Sequence, residues 1–90
     1  MVVPDFDTAL HHAELTEYGL AAVVLTPSQG NAQRAARELR AGTVKVNAMF
    51  GGAPGGAAHP HKASGTGFGY GPELLDEVAQ VKVVHYAPAP

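Results

Sequence analysis

The sequence lacks cysteine and tryptophan, has little charge of either sign and contains no long apolar run. Without cysteine the chain has no disulfide framework, no thiolate metal ligand and no thiol nucleophile. Its longest apolar run, residues 20–25, is far too short to cross a bilayer, and its first residues lack the basic region and cleavage site expected of a signal peptide. A formal net charge of −2 provides no basic surface for nucleic acid. We therefore expect a cytoplasmic protein that contacts neither membrane nor nucleic acid.

Glycine and proline are abundant, and most of the glycines fall in one stretch. The sequence holds Gly 11 and Pro 7, and residues 49–71 show neither helical nor strand periodicity. This pattern predicts one long glycine-rich loop within a single domain over residues 1–90. Much of the apolar composition is alanine, which buries little area, so we expect a marginal core in a chain of this size.

Alternating strand and helix signals precede the loop and predict an α/β fold. Apolar runs predict strands at 2–6, 20–26 and 43–48. Amphipathic segments predict one helix that starts at Asp7 or Thr8 and runs to about residue 18, and another that starts at Ser28 or Asn31 and runs to about residue 40. The continuous run at 20–26 is typical of a strand buried on both faces. The order β-α-β-α-β over residues 1–48 predicts a parallel sheet with flanking helices and right-handed crossovers.

A helix and a strand are predicted after the loop, within residues 72–86. Pro72 suits the first position of a helix, with Leu74, Leu75 and Val78 on its buried side. Residues 80–86 then read as a terminal strand, in which Val81, Val83 and His85 share one face.

The glycines of the loop could hold a phosphate or could only form a turn before the last helix. Gly65, Gly67, Gly69 and Gly71 alternate and do not directly follow a strand, whereas the dinucleotide-binding fingerprint needs G-x-G-x-x-G between a strand and a helix. The triphosphate-binding signature is also missing from the sequence. We therefore favour a structural turn and predict no phosphate site.

Neither metal binding nor self-contained catalysis has a convincing set of residues. His59 and His61 could place two nitrogens on one side of an extended segment, but zinc needs three or four rigidly held ligands, so we predict no native metal site. Ser28 and Ser64 lack a motif that would activate a hydroxyl. Asp76 and Glu77 are helix neighbours that face different ways, which favours a solvated surface.

Four motifs in a fixed order carry a family resemblance: FDT…EYGLAAVVLT, AARELRAGTVKVN, KASGTGF and GPELLDEVAQVKVV. Together, over residues 2–84, they resemble the C-terminal segment of the catalytic domain of the aldehyde dehydrogenase superfamily. One departure is that Pro60 and His61 run directly into Lys62, without the two glycines of the family loop.

The resemblance implies roles for individual residues. Asn47 matches the largely structural asparagine that ends the family's V-N strand, and Met49 and Phe50 match positions that line the aldehyde entrance. For Met49 and Phe50, hydrophobic packing is the alternative role. Lys62, Ser64 and Gly65 match the K-x-S-G turn.

The resemblance also implies a cofactor, NAD or NADP, and a catalytic cysteine and glutamate in parts of the family that would precede Met1. We therefore expect this chain alone to bind no cofactor and to be inactive. One expected function is a non-catalytic binding or assembly module. Another is one piece of a split or truncated enzyme that completes its substrate site with a larger dehydrogenase-like chain, and a small ligand-binding protein is a third, weaker option.

An expectation about assembly follows from the same resemblance. In the family the final strand pairs with an oligomerisation arm, and here that strand carries Val81, Val83 and His85. An apolar strand with an unpaired edge is a template for joining another chain. We therefore expect a homo-oligomer, a dimer formed through this strand.

Overall fold

The computed structural model describes residues 1–49 and 56–90. Its helices are α1 (Phe6–Ala13), α2 (Gln29–Glu38) and α3 (Pro72–Glu77), and its strands are β1 (Tyr18–Gly19), β2 (Ala21–Val24), β3 (Thr43–Val46) and β4 (His61–Lys62). Strands β2 and β3 are parallel neighbours, and β1 and β4 form a separate antiparallel pair. Phe50, predicted to line an aldehyde entrance, lies outside the described residues.

The β2-α2-β3 unit forms the centre of the fold. The side chain of Ser28 caps α2 by accepting a hydrogen bond from the backbone N–H of Asn31 at 3.2 Å. Helix α2 then crosses back over the sheet; Ala35 is its buried side chain, and Leu39 directly after the helix is buried as well. The predicted parallel crossover is therefore present here, because a capped helix with one apolar side can only bury that side against the strands it connects.

The predicted first strand at 2–6 is wrong, so the full β-α-β-α-β core is not formed. Phe6 already belongs to α1, because the carboxylate of Asp5 accepts the Thr8 N–H at 2.7 Å and starts the helix there. The same helix ends at Ala13, well before the predicted end at Tyr18, and residues 18–19 form β1 instead.

The expectation that 20–26 is a strand buried on both faces is also wrong. Strand β2 covers only Ala21–Val24 and alternates between exposed and half-buried residues, and the following Leu25 is 66% exposed. Within the described part of the chain, β2 has a neighbouring strand on one side only, β3. One face of this apolar strand is therefore left in water.

The region predicted to be a plain loop contains β4. Lys62 lies opposite Tyr18 and His61 lies opposite Gly19, so the segment doubles back onto the connection between α1 and β2. Helix α3 begins at Pro72 as predicted. Of the three residues predicted on its buried side, Leu74 is half-buried, whereas Leu75 and Val78 are exposed.

The terminal strand predicted at 80–86 is not formed in this structure. Residues 79–90 belong to neither a helix nor a strand, and Val81 and Val83 are 95% and 88% exposed. A strand requires a hydrogen-bonded neighbour, and among residues 1–49 and 56–90 none lies beside this segment.

The molecule is elongated and exposes much apolar surface. Its radius of gyration is 19.3 Å and its extents are 78 × 26 × 20 Å, whereas a compact chain of this length has a radius of about 12 Å. Its accessible area of 7057 Å² exceeds by about 2,000 Å² that of a compact protein of this mass. No helix in the described ranges has the length and hydropathy to span a membrane. The expected cytoplasmic location stays a prediction.

Candidate functional site

The K-x-S-G turn, residues 62–65, is bonded to the connection between α1 and β2. The Lys62 ammonium lies 3.3 Å from a carboxylate oxygen of Glu14, and the backbone N–H of Gly19 donates to Ser64 Oγ at 2.9 Å. The Ala63 N–H donates to the carbonyl of Glu17 at 3.0 Å. Both polar side chains of the motif therefore hold the fold together here, and the Ser64 hydroxyl is engaged as an acceptor.

Glu14 is the centre of this contact and was not predicted from the sequence. Its carboxylate accepts the backbone N–H of Arg40 at 2.8 Å and the Arg40 Nε–H at 2.9 Å, in addition to Lys62. The hydrogen bond from the Arg40 backbone lowers the pKa of Glu14, with smaller contributions from the Arg40 and Lys62 side chains, against the opposing effect of burial. Glu14 therefore stays ionised and joins three segments of the chain.

No local pattern could have revealed Glu14. Its partners lie 26 and 48 residues further along the chain. The only sequence signal is an acid directly after a helix, which occurs on many solvated surfaces.

Close backbone approach explains the glycine of the A-G-T-V motif. A Cβ atom at Gly42 would overlap the carbonyl oxygen of His59 and lie 2.6 Å from its carbonyl carbon. The Gly42 N–H also donates to the carbonyl of Gly19 at 2.9 Å. Gly42 therefore lets the 56–62 segment lie directly on the start of β3.

Asn47 extends the pairing of the two parallel strands beyond the end of β3. Its backbone N–H donates to the Val24 carbonyl at 2.7 Å, and its side-chain amide exchanges two hydrogen bonds with the backbone of Thr26, at 2.8 and 3.0 Å. Asn47 has φ 54°, a left-handed conformation that asparagine tolerates better than most residues. Its amide is thus engaged in the fold, and its part in a substrate site stays a prediction.

A cleft of about 460 Å³ lies beside Asn47, at the carboxyl edge of β2 and β3. Its lining residues are Thr26, Pro27, Ser28, Gln29, Ala32, Gln33, Ala36, Val46 and Asn47. None of these side chains can act as a general acid or base near neutral pH, and the Ser28 hydroxyl is occupied in capping α2. Met49 is exposed and does not line this cleft, so its predicted contact with an aldehyde is untested.

The five histidines lie in three separate places, the third being His85 in the segment after α3. The ring of His59 packs on Phe68 with centroids 4.7 Å apart and meets His61 edge-on at 5.9 Å, whereas His11 and His12 lie on α1. In residues 1–49 and 56–90, no three histidine or carboxylate side chains gather as metal ligands would. The geometry therefore assigns His59 to packing.

The glycine-rich segment before α3 is held by a residue expected to be solvated. The Glu77 carboxylate accepts the backbone N–H of Phe68 at 2.9 Å, while Glu77 itself is exposed, as predicted. Gly67 has φ 83°, which other residues rarely adopt. The segment behaves as a turn into the helix.

Comparison with known sequences decides the family. Residues 1–84 match the sequence model described as Aldehyde dehydrogenase family. The chain belongs to the aldehyde dehydrogenase family. The resemblance inferred from the four motifs is therefore confirmed, and the K-x-S-G turn and Asn47 are positions of an aldehyde dehydrogenase family member.

Individual relatives cover almost all of this family member. It is 36% identical over 87 residues to a mitochondrial aldehyde dehydrogenase of Leishmania tarentolae, with 97% of this chain and 18% of the relative aligned. It is 41% identical over 88 residues to aldehyde dehydrogenase family 2 member B4, mitochondrial, of Arabidopsis thaliana, covering 89% of this chain and 15% of the relative. The chain therefore spans less than a fifth of the length of these relatives.

Solved structures of the family share the fold. An NAD-dependent aldehyde dehydrogenase from Sinorhizobium meliloti matches with a TM-score of 0.83 and 33% identity, over 100% of this chain and 18% of that protein. Betaine aldehyde dehydrogenase from Staphylococcus aureus, in complex with NAD+, matches with a TM-score of 0.77 and 33% identity, over 83% of this chain and 15% of that protein. The α/β class is thus shown.

Proposed function

We propose that this chain is a non-catalytic assembly module of the aldehyde dehydrogenase family and joins a second copy through a terminal segment, residues 80–86. The observation that carries the proposal is the apolar surface left in water. Val81, Val83 and Tyr86 are 95%, 88% and 89% exposed in this segment alone. Several large apolar side chains exposed together in one segment support an interaction site.

The exposed area is large enough for a stable interface. The chain exposes about 2,000 Å² more than a compact protein of its mass. Stable interfaces between two proteins bury about 1,200–2,000 Å² in total. A dimer that covers part of this excess on each copy therefore reaches the size of a specific interface.

The non-catalytic part of the proposal depends on which chemical groups the chain contains. The sequence has no cysteine, so it cannot supply a thiol nucleophile. The most strongly held carboxylate, Glu14, is engaged by Arg40 and Lys62 and is poorly placed to accept a proton. The proposed module by itself binds neither NAD nor NADP.

Light scattering tests the assembly directly. We expect the intact chain to be a dimer at micromolar concentration and a Val83→Lys variant to be a monomer, because the new charge would be buried in the interface. Val2→Lys is the matched control, since Val2 is 98% exposed and lies outside the terminal segment. A monomeric intact chain, or a Val83→Lys variant that dimerises as well as the Val2→Lys control, would contradict the proposal.

The sequence analysis also allowed a role as one piece of an enzyme with a larger dehydrogenase-like chain. No contact among residues 1–49 and 56–90 favours that role, since Met49 is exposed and no catalytic group lines the cleft beside Asn47. Aldehyde oxidation that appears only when this chain is added to such a partner would support the role over ours.

A further inference from the structure

We draw no further inference here: the strongest candidate, the apolar groove of about 310 Å³ between α1 and β2, carries nothing because no contact within residues 1–49 and 56–90 shows what covers it.

Discussion

A methyl group at position 42 has no room in this structure. Its carbon would overlap the carbonyl oxygen of His59 and lie 2.6 Å from the carbonyl carbon, whereas unbonded carbon atoms prefer separations of about 3.5–4.0 Å. A Gly42→Ala variant must therefore move the 56–62 segment away from β3 by about 1 Å or more. We expect this variant to be less stable.

Two separate estimates bound the loss of stability in the Gly42→Ala variant. Strained packing of an added methyl group costs about 1–3 kcal/mol. If the segment instead detaches, the chain loses the hydrogen bonds from Gly19 to Ser64 and from Ala63 to Glu17, together with the Lys62–Glu14 pair. Each of the two hydrogen bonds contributes about 1 kcal/mol and the ion pair less. Both estimates give a destabilisation of about 2 kcal/mol.

The matched control is the same substitution at Gly30. Gly30 lies in α2, and a Cβ there would meet only the Ser28 hydroxyl at 3.8 Å, an ordinary contact. Because alanine favours a helix over glycine, Gly30→Ala should raise stability by about 0.5 kcal/mol. Urea unfolding followed by circular dichroism at one fixed protein concentration measures both variants.

A local measurement separates detachment of the segment from general unfolding. Hydrogen exchange at the Ala63 amide, which bonds Glu17, should accelerate in Gly42→Ala and stay unchanged in Gly30→Ala. If Gly42→Ala proves as stable as the unmodified chain, with unchanged exchange at Ala63, the close approach at Gly42 is refuted.

Two further variants test Glu14 and Asn47. The hydrogen bond from the Arg40 backbone, with smaller help from the side chains, lowers the pKa of Glu14, so its stabilisation is present above the unfolded value of about 4.3 and is lost as pH falls through the folded pKa. Urea midpoints between pH 7 and pH 3 should therefore fall less steeply in Glu14→Gln, and an unchanged slope would disprove this role. Asn47→Ala should be less stable than Asn47→Gly by about 1 kcal/mol, because both lose the bonds to Thr26 and only glycine relieves the positive φ. Equal unfolding midpoints for these two variants would contradict that reasoning.

The predictions that held depend on short-range interactions. The cap at Ser28 acts over three residues, and the apolar positions around Ala35 repeat with the helical period. Helix α2 and its crossover could therefore be predicted from the sequence. The start of α3 at Pro72 follows from the fixed φ of proline. The start of α1 was missed because the sequence analysis placed the cap at Asp7 or Thr8, whereas the Asp5 carboxylate caps the helix by accepting the Thr8 N–H.

The candidate site combines both kinds of information. The family motif identified Lys62 and Ser64, and the structure shows that they hold Glu14 and Gly19. Their roles in any substrate site, like those of Met49, stay predictions.

The sequence by itself determined the family, the helical segments and the parallel pair β2 and β3, because caps and apolar periods act over a few residues and the motif order is long enough to be specific. Only the tertiary structure decided the position of β4, the partners of Glu14 and the exposure of β2 and of the terminal segment. These depend on contacts between residues far apart in the chain. An apolar run predicts that a segment can be buried, and burial itself requires a neighbour to cover it.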